Sequence, residues 1–152
     1  MKIIKITSQN NHIYENLVQL YECEFAPLTG EKPDSNGLYV IQTPIKSGVI
    51  GYLVYIDNLP VGFMVIKELE ECLDVAEFFI LPSYRRNRIG IDFAKDIFLR
   101  NKGNWQIRQI QGADYATRFW RRVVKELVCL DFIESFEYDS EWGYVTIQRF
   151  AI

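Results

Sequence analysis

Between Glu77 and Gly90 the chain reads Glu-Phe-Phe-Ile-Leu-Pro-Ser-Tyr-Arg-Arg-Asn-Arg-Ile-Gly, an apolar run that passes through a basic turn into a helical pattern. At such a strand-to-helix junction, loop amides and first-turn amides point outward together. With the helix dipole they form a site for phosphate oxygens, to which arginines add charge-assisted contacts. Taken alone the signal is weak, because three arginines in a turn are more often a solvated charge cluster. Neither GxxxxGK[ST] nor GxGxxG occurs, so the familiar nucleotide loops do not account for it. Glu77 places a carboxylate at the head of the segment, suited either to removing a proton or to a plain salt bridge. Asp74, Glu70 and Glu71 are weaker candidates for the same task.

The elements that must position this segment follow from periodicity. Met1 to Thr7 reads as an edge strand. Ser8 or Asn10 can cap a helix carrying Ile13, Leu17, Leu20, Tyr21 and Phe25 on one stripe, with Pro27 and Gly30 to end it. Residues 26 to 37 hold turn chemistry. Strands are expected at 38–42, 49–56, 61–67 and 72–81, the middle pair joined by Asp57-Asn58-Leu59-Pro60, as an antiparallel meander. Phe93, Ala94, Ile97 and Phe98 stripe a helix from Gly90 to Arg100, and Trp105 to Ile110 alternates as a strand. Ala116, Phe119, Trp120, Val123, Val124 and Leu127 then give the clearest amphipathic helix, before two strands at 132–138 and 144–150. The order predicts a single α+β domain over residues 1–152.

Composition narrows the partners. Of 152 residues 49% are hydrophobic and 24% charged, which suits one globular core. The net charge of −3 gives no general attraction for a phosphate backbone, so no nucleic-acid partner is expected. Cys23, Cys72 and Cys129 have no CxxC spacing, and His12 is the single histidine, so no metal site is expected and the thiols read as reduced, core or half-buried. His12 itself reads as a surface residue. The amino terminus lacks the pattern of an export signal. Ser47 to Ile66 is apolar enough for a span but carries Asp57, Asn58 and Pro60 at its centre, which suits a hairpin instead. A cytoplasmic protein without membrane contact is expected, and a homodimer is compatible with the sequence.

The Glu77–Gly90 segment resembles the acetyl-CoA signature of the GNAT superfamily of N-acetyltransferases, a strand E-x-x-V-x-P-x-Y-R leading into [QR]-x-x-G-x-[GA]. Leu81-Pro82-Ser83-Tyr84, Arg85 and Gly90 match, whereas Arg88 stands where the first glycine is usual. If that position needs φ > 0, arginine there costs on the order of 1 kcal/mol. Asp57-Asn58-Leu59-Pro60-Val61-Gly62-Phe63 is similar to the hairpin before the signature. Asp114-x-Ala116-x-x-Phe119-Trp120 is similar to N-x-x-A-x-x-[FL]-Y, and Asp131-Phe132 stands where GF is typical. The resemblance covers residues 49 to 133.

The resemblance implies the GNAT fold, a mixed, mostly antiparallel sheet of about seven strands with helices on both faces. It implies acetyl-CoA as co-substrate, with the signature strand and the next strand splayed to admit the pantetheine arm. Contacts would come from Phe79, Ile80 and Leu81, from Arg85, Arg86, Asn87, Arg88, Ile89, Gly90 and Ile91, and from Asp114, Phe119 and Trp120. An amide near Ile80 or Leu81 would stabilise the oxyanion, and Glu77 would assist deprotonation of a primary amine attacking in a ternary complex. The acceptor, a small molecule or a protein amino group, is not identified; Glu22, Glu24, Glu31 and Asp34 hint at a cationic one. Trp120 occupies the place of the family's usual tyrosine acid, and an indole cannot donate a proton. Either Tyr84, Tyr138 or Tyr144 replaces it, or the thiolate leaves unassisted. Arg118, Arg121 and Arg122 read as a solvated helix face. The rival readings are a non-catalytic acyl-CoA-binding sensor and an acetyltransferase acting on aminoacyl-tRNA, against which the net charge argues.

Overall fold

The computed structural model describes residues 1–152. Its elements run β1 (Lys2–Lys5), α1 (Asn11–Thr29), β2 (Val49–Ile56), β3 (Leu59–Glu68), β4 (Leu73–Ile80), a 3₁₀ turn (Pro82–Tyr84), α2 (Ile89–Arg100), β5 (Asn104–Ile110), α3 (Asp114–Val128), β6 (Phe132–Asp139) and β7 (Gly143–Ala151). The strands form one sheet ordered β1-β2-β3-β4-β5-β7-β6. All neighbours are antiparallel except β4 and β5.

The sheet buries both faces. On β3, Phe63 and Val65 pack with Tyr14, Leu17 and Val18 of α1. Met64 and Ile66 point the other way, into a core with Phe93, Ile97 and Phe98 of α2 and Trp120, Val123 and Val124 of α3. Period-2 alternation thus distributes one strand between two cores, which is why residues 61 to 66 read as an unbroken apolar run. A Cβ on Gly62 would stand 2.3 Å from Phe79 O, so glycine lets β3 and β4 approach.

Several sequence expectations need correction. No strand forms at 38–42. Gln19 of α1 donates to Tyr39 O (3.0 Å) and accepts from Tyr39 N–H (2.7 Å), while Asp34 accepts the Leu38 amide. Helix and loop side chains therefore satisfy backbone groups that a ladder would have used, and the strand beside β2 is β1. The β2–β3 turn is only Asp57-Asn58, at φ 49° and 65°, the two-residue hairpin loop with both centres left-handed. Leu59 and Pro60 belong to β3. Asn10 does not cap α1; its side chain accepts from Thr7 N–H and donates to Lys5 O, tying β1 to the helix. Helix α1 continues through Pro27 and ends at Gly30, φ 76°, whose N–H reaches Ala26 O. Leu20 is exposed and Val18 takes its place in the core. Cys23 and Cys129 are exposed rather than buried, and all three thiols are free. No helix is long and apolar enough to cross a membrane.

Candidate active site

Strands β4 and β5 pair only from Leu73–Trp105 to Val75–Ile107. The cause lies on the other edge of β4. Its register with β3 steps from Val75–Ile66 to Glu77–Val65, leaving Ala76 as a bulge. A bulge bends its strand and sharpens the twist, and beyond it β4 and β5 part. The gap opens into a cleft of about 570 Å³ between α1, β4, β5, the Arg85–Gly90 turn and α3.

Backbone direction along β4 decides which groups face that gap. The Leu81 amide donates to Val61 O at 2.8 Å. Successive backbone groups of a strand point to opposite sides, so the Ile80 and Phe78 amides turn away from β3 toward the opening. Of the two amides expected at the oxyanion, Leu81 is already bonded and Ile80 faces the cleft. Arg85 Nε donates to Ile80 O at 2.8 Å, which confirms the direction of that peptide edge.

The turn beyond β4 ends in left-handed residues, Arg86 at φ 73° and Arg88 at φ 61°. The position expected to need φ > 0 therefore does. No amide from Arg86 through Ile91 donates to any protein acceptor, and the first bond of α2 is Asp92 N–H to Arg88 O. These amides and the start of α2 are left unpaired, an arrangement with the chemistry to receive an anion. The arginines divide the remaining work. Arg85 makes a two-pronged contact with Glu24 of α1 (2.7 and 2.8 Å) and lies over the Phe79 ring. Arg88 lines the cleft and is held by Glu126 of α3 at 2.6 Å. Arg121 and Arg122 pair with Glu134 and Glu126. Arg86 and Arg118 line the cleft and pair with no carboxylate.

Among the other expected contacts, Phe79, Ile80, Gly90, Ile91, Phe119 and Trp120 line the cleft. Leu81, Asn87, Ile89 and Asp114 do not, and Asp114 is exposed at the start of α3.

At the α1 side of the cleft Glu77 is 4% exposed. Its Oε2 lies 3.0 Å from the Tyr14 hydroxyl, which also lies 2.8 Å from Thr43 O, and its Oε1 has no partner. Burial pushes the Glu77 carboxyl above the usual range, against its polar neighbours Thr43 and Tyr14 and the nearby charge of Lys67. Glu22 of α1, also 4% exposed, lines the same cleft with an unpartnered Oε1. Burial, then the Glu77 and Glu31 charges, raise it to about 7. Tyr14 and Tyr21 are driven far above the ordinary phenol range by burial and the same carboxylates. Asp74, fully buried, is instead locked by Gln106 and Arg108 at 2.9 Å, a structural ion pair. Glu70 and Glu71 are exposed in the β3–β4 turn.

Sequence reasoning missed Tyr14 and Thr43 beside Glu77 and the burial of Glu22 in the cleft. A signal existed: Tyr14, Val18 and Glu22 are spaced i, i+4, i+8, so Glu22 falls on the buried stripe where an apolar residue is ordinary. Thr43 had none, because it lies in a loop without periodicity.

Trp120 is 5% exposed and packs against Phe78, Phe98 and Phe119 at ring-centroid distances of 5.0, 6.1 and 4.9 Å. Its indole nitrogen makes no hydrogen bond and is not sealed from the cleft. Tyr84, Tyr138 and Tyr144 do not line the cleft; Tyr21 and Tyr115 do. Tyr138 and Tyr144 belong to an exposed aromatic group with Phe136 on the β6–β7 hairpin.

No protein-family model matches the chain, and no curated protein matches it in sequence. Solved structures do match. A GNAT family acetyltransferase from Elizabethkingia anophelis with acetyl-CoA bound superposes with TM-score 0.64 at 11% identity, covering 99% of this chain and 97% of that one. A spermidine N-acetyltransferase chimera from Vibrio cholerae and hSSAT gives 0.63 at 7% identity, covering 99% and 96%. An aminoglycoside acetyltransferase from an uncultured soil metagenomic sample, in complex with sisomicin, gives 0.59 at 18% identity, covering 80% and 86%. The chain has the GNAT fold, with the seven-stranded mixed sheet and flanking helices that the sequence motifs implied.

Proposed function

We propose that this protein transfers an acetyl group from acetyl-CoA to a primary amine by direct attack in a ternary complex. The observation that carries the reading is the parting of β4 and β5 beside a turn whose amides, Arg86 through Ile91, are all free. An adenylated pantetheine needs both: free amides for its pyrophosphate and an exposed strand edge for its amide-bearing arm. Structural neighbours include one with acetyl-CoA bound and others named for polyamine and aminoglycoside acetylation, which supports the same chemistry here.

The pyrophosphate would sit on the Arg86–Ile91 amides, with Arg86 and Arg118 supplying charge, and the pantetheine arm would pair with the exposed edge of Phe78 and Ile80. The Ile80 amide would then polarise the thioester carbonyl. The acceptor arrives as R-NH₃⁺ and loses one proton to Glu77, directly or through water. Its lone pair forms the C–N bond as the C–S bond breaks. The second proton leaves nitrogen as the amide forms and neutralises the departing thiolate, whose ordinary pKa of about 8.5 lets it leave without a protein acid. Trp120 is then a wall of the sulfur pocket.

One observation favours a second reading, a binding domain that holds acyl-CoA without turnover: Trp120 stands where the resemblance expects a tyrosine. A single experiment separates the two. Acetyl-CoA is titrated calorimetrically while an amine library is screened for thiol release. Binding with turnover establishes the transferase, binding with no turnover on any amine establishes the sensor, and no binding removes both.

A further inference from the structure

The sheet has two free edges, β1 and β6, and they are built differently. The β1 edge is four residues long and carries an exposed lysine at each end, Lys2 and Lys5, a common protection against pairing with another strand. The β6 edge, Phe132–Asp139, is eight residues long and holds neither lysine nor proline. Its register with β7 runs from Phe132–Phe150 to Asp139–Gly143 without a bulge. Strand β7 is its only neighbour, so one row of its N–H and C=O groups is open.

The acids of β6 do not defend that row, because each is neutralised within the chain. Glu134 is held by Arg121 at 2.7 Å, Glu137 by Arg149 at 2.7 Å and Asp139 by Arg108 at 3.0 Å. Its large apolar residues Ile133, Phe136 and Tyr138 are instead exposed. Phe136 stacks on Tyr144 of β7, with ring centroids 5.2 Å and planes 7° apart. Contiguous exposed rings beside a long, regular, open edge mark a contact surface.

We infer that β6 pairs antiparallel with β6 of a second copy of this chain, joining the two sheets across a two-fold axis at Phe136. The strand's own sequence supports this occupant, because it complements itself in that register. Phe132, Glu134, Phe136 and Tyr138 share the α3 face, and Ile133, Ser135, Glu137 and Asp139 the other, so the two copies join only where these faces match. Near the middle of the strand, an axis at Glu134, Glu137 or Tyr138 sets acid directly against acid, which is destabilising. An axis at Ser135 separates the acids but faces Phe136 with Glu134. An axis at Phe136 sets Glu134 across from Tyr138, Ser135 from Glu137 and Ile133 from Asp139. The two Phe136 rings then oppose each other and extend both Tyr144 stacks into one aromatic row. The assembly closes at two copies, because the edge left at each end of the joined sheet is the lysine-flanked β1.

The test reads mass on the full chain without acetyl-CoA or amine, so it stands or falls independently of the transferase reading. Sedimentation velocity at micromolar concentrations is expected to show a monomer–dimer equilibrium with no larger species. Phe136→Lys replaces the ring pair with two like charges at the axis and is expected to raise the dimer Kd at least about tenfold. Leu99→Lys, the same kind of change at an exposed position of α2, is expected to leave it unchanged. Register is read by cross-linking. With Cys23, Cys72 and Cys129 replaced by serine, Phe136→Cys is expected to form an intermolecular disulfide on mild oxidation. Ile133→Cys, which faces Asp139 of the second copy, is expected not to. The inference is overturned if the wild type sediments as a monomer throughout, if larger species grow with concentration, or if Phe136→Lys dimerises within about twofold of wild type. Cross-linking through Ile133→Cys in place of Phe136→Cys overturns it as well, by moving the axis off Phe136.

Discussion

The Tyr14 hydroxyl stands 3.0 Å from Glu77 Oε2 and 2.8 Å from Thr43 O. It has one proton and two neighbours that can both accept. When Glu77 is neutral, its O–H donates to Tyr14 and Tyr14 donates to Thr43 O. When Glu77 ionises, the Tyr14 proton turns to the carboxylate and Thr43 O loses its partner. The Tyr14 bond favours the ionised carboxylate, but burial outweighs it, so the carboxyl is held above its ordinary range.

Tyr14→Phe should test that coupling. The ring keeps its edge contact with Phe63 at 5.0 Å, so packing survives. The ionised carboxylate loses its donor, and the acidic limb of the kcat–pH profile should move to higher pH. An unmoved limb would separate Tyr14 from the ionisation that governs rate.

Glu77→Gln should lower kcat by roughly 10²- to 10⁴-fold and leave the acetyl-CoA Kd nearly intact. The loss should be greatest at low pH and shrink as the pH approaches the amine's own pKa, where no base is needed. Steady-state thiol release across pH measures this. A profile parallel to wild type would remove Glu77 from the mechanism.

How far the sequence carried the site can be judged on these residues. That Glu77 and the Arg85–Gly90 turn would lie together along one strand, turn and helix was legible because the segment is continuous and its order is local. The meander through β2, β3 and β4 and the amphipathic α3 were legible from periodicity. What pairs with Glu77 was not, because Tyr14 and Thr43 are 63 and 34 positions away and meet it only when α1 crosses the sheet. The false strand at 38–42 failed for a related reason: Gln19, 20 residues earlier, takes its backbone bonds. The free side chains in the turn were likewise hidden. Arg85 reads as a phosphate ligand until Glu24 is seen to hold it.

The turn itself offers a paired test. Gly90 sits at the second position of α2 with a free amide, and a Cβ there would meet Ile80 and Phe119 side chains at 3.4 Å, ordinary contact. Gly90→Ala should therefore bind acetyl-CoA normally. Gly90→Pro removes the amide proton and puts ring carbon where phosphate would approach, so affinity should fall at least about tenfold. Equal calorimetric affinities for both variants would place the pyrophosphate elsewhere.

Glu22 makes a prediction for stability that is independent of any substrate. Its folded pKa of about 7 lies above its ordinary value, so the folded state holds the proton more tightly than the unfolded chain. The associated stability is complete below the ordinary carboxylate range and is lost as pH rises through about 7. Glu22→Gln should then gain on wild type in alkali, by on the order of 1–3 kcal/mol, with the gap closing in acid. Denaturant midpoints at several pH values would show it. A constant gap would mean that Glu22 titrates as an ordinary surface carboxyl.

Trp120 is the position at which the chain departs most from the motif it resembles, and the fold now limits the explanations. The tyrosines that could have replaced the missing acid, Tyr84, Tyr138 and Tyr144, lie outside the cleft. Their substitution by Phe should leave kcat unchanged. Trp120 packs edge-on to Phe78 and Phe119 within the α3 core, so Trp120→Phe should cost about 1–2 kcal/mol from the smaller ring and change the rate little. Trp120→Tyr sets a phenol of pKa about 10 at the same wall. With a thiolate that leaves unassisted, kcat should not rise, because proton delivery to sulfur is not the slow step. A clear gain would show that protonation limits turnover and that the native chain runs without its acid. A large loss at Tyr84, Tyr138 or Tyr144 would instead require that hydroxyl to reach the cleft, and would overturn the unassisted departure.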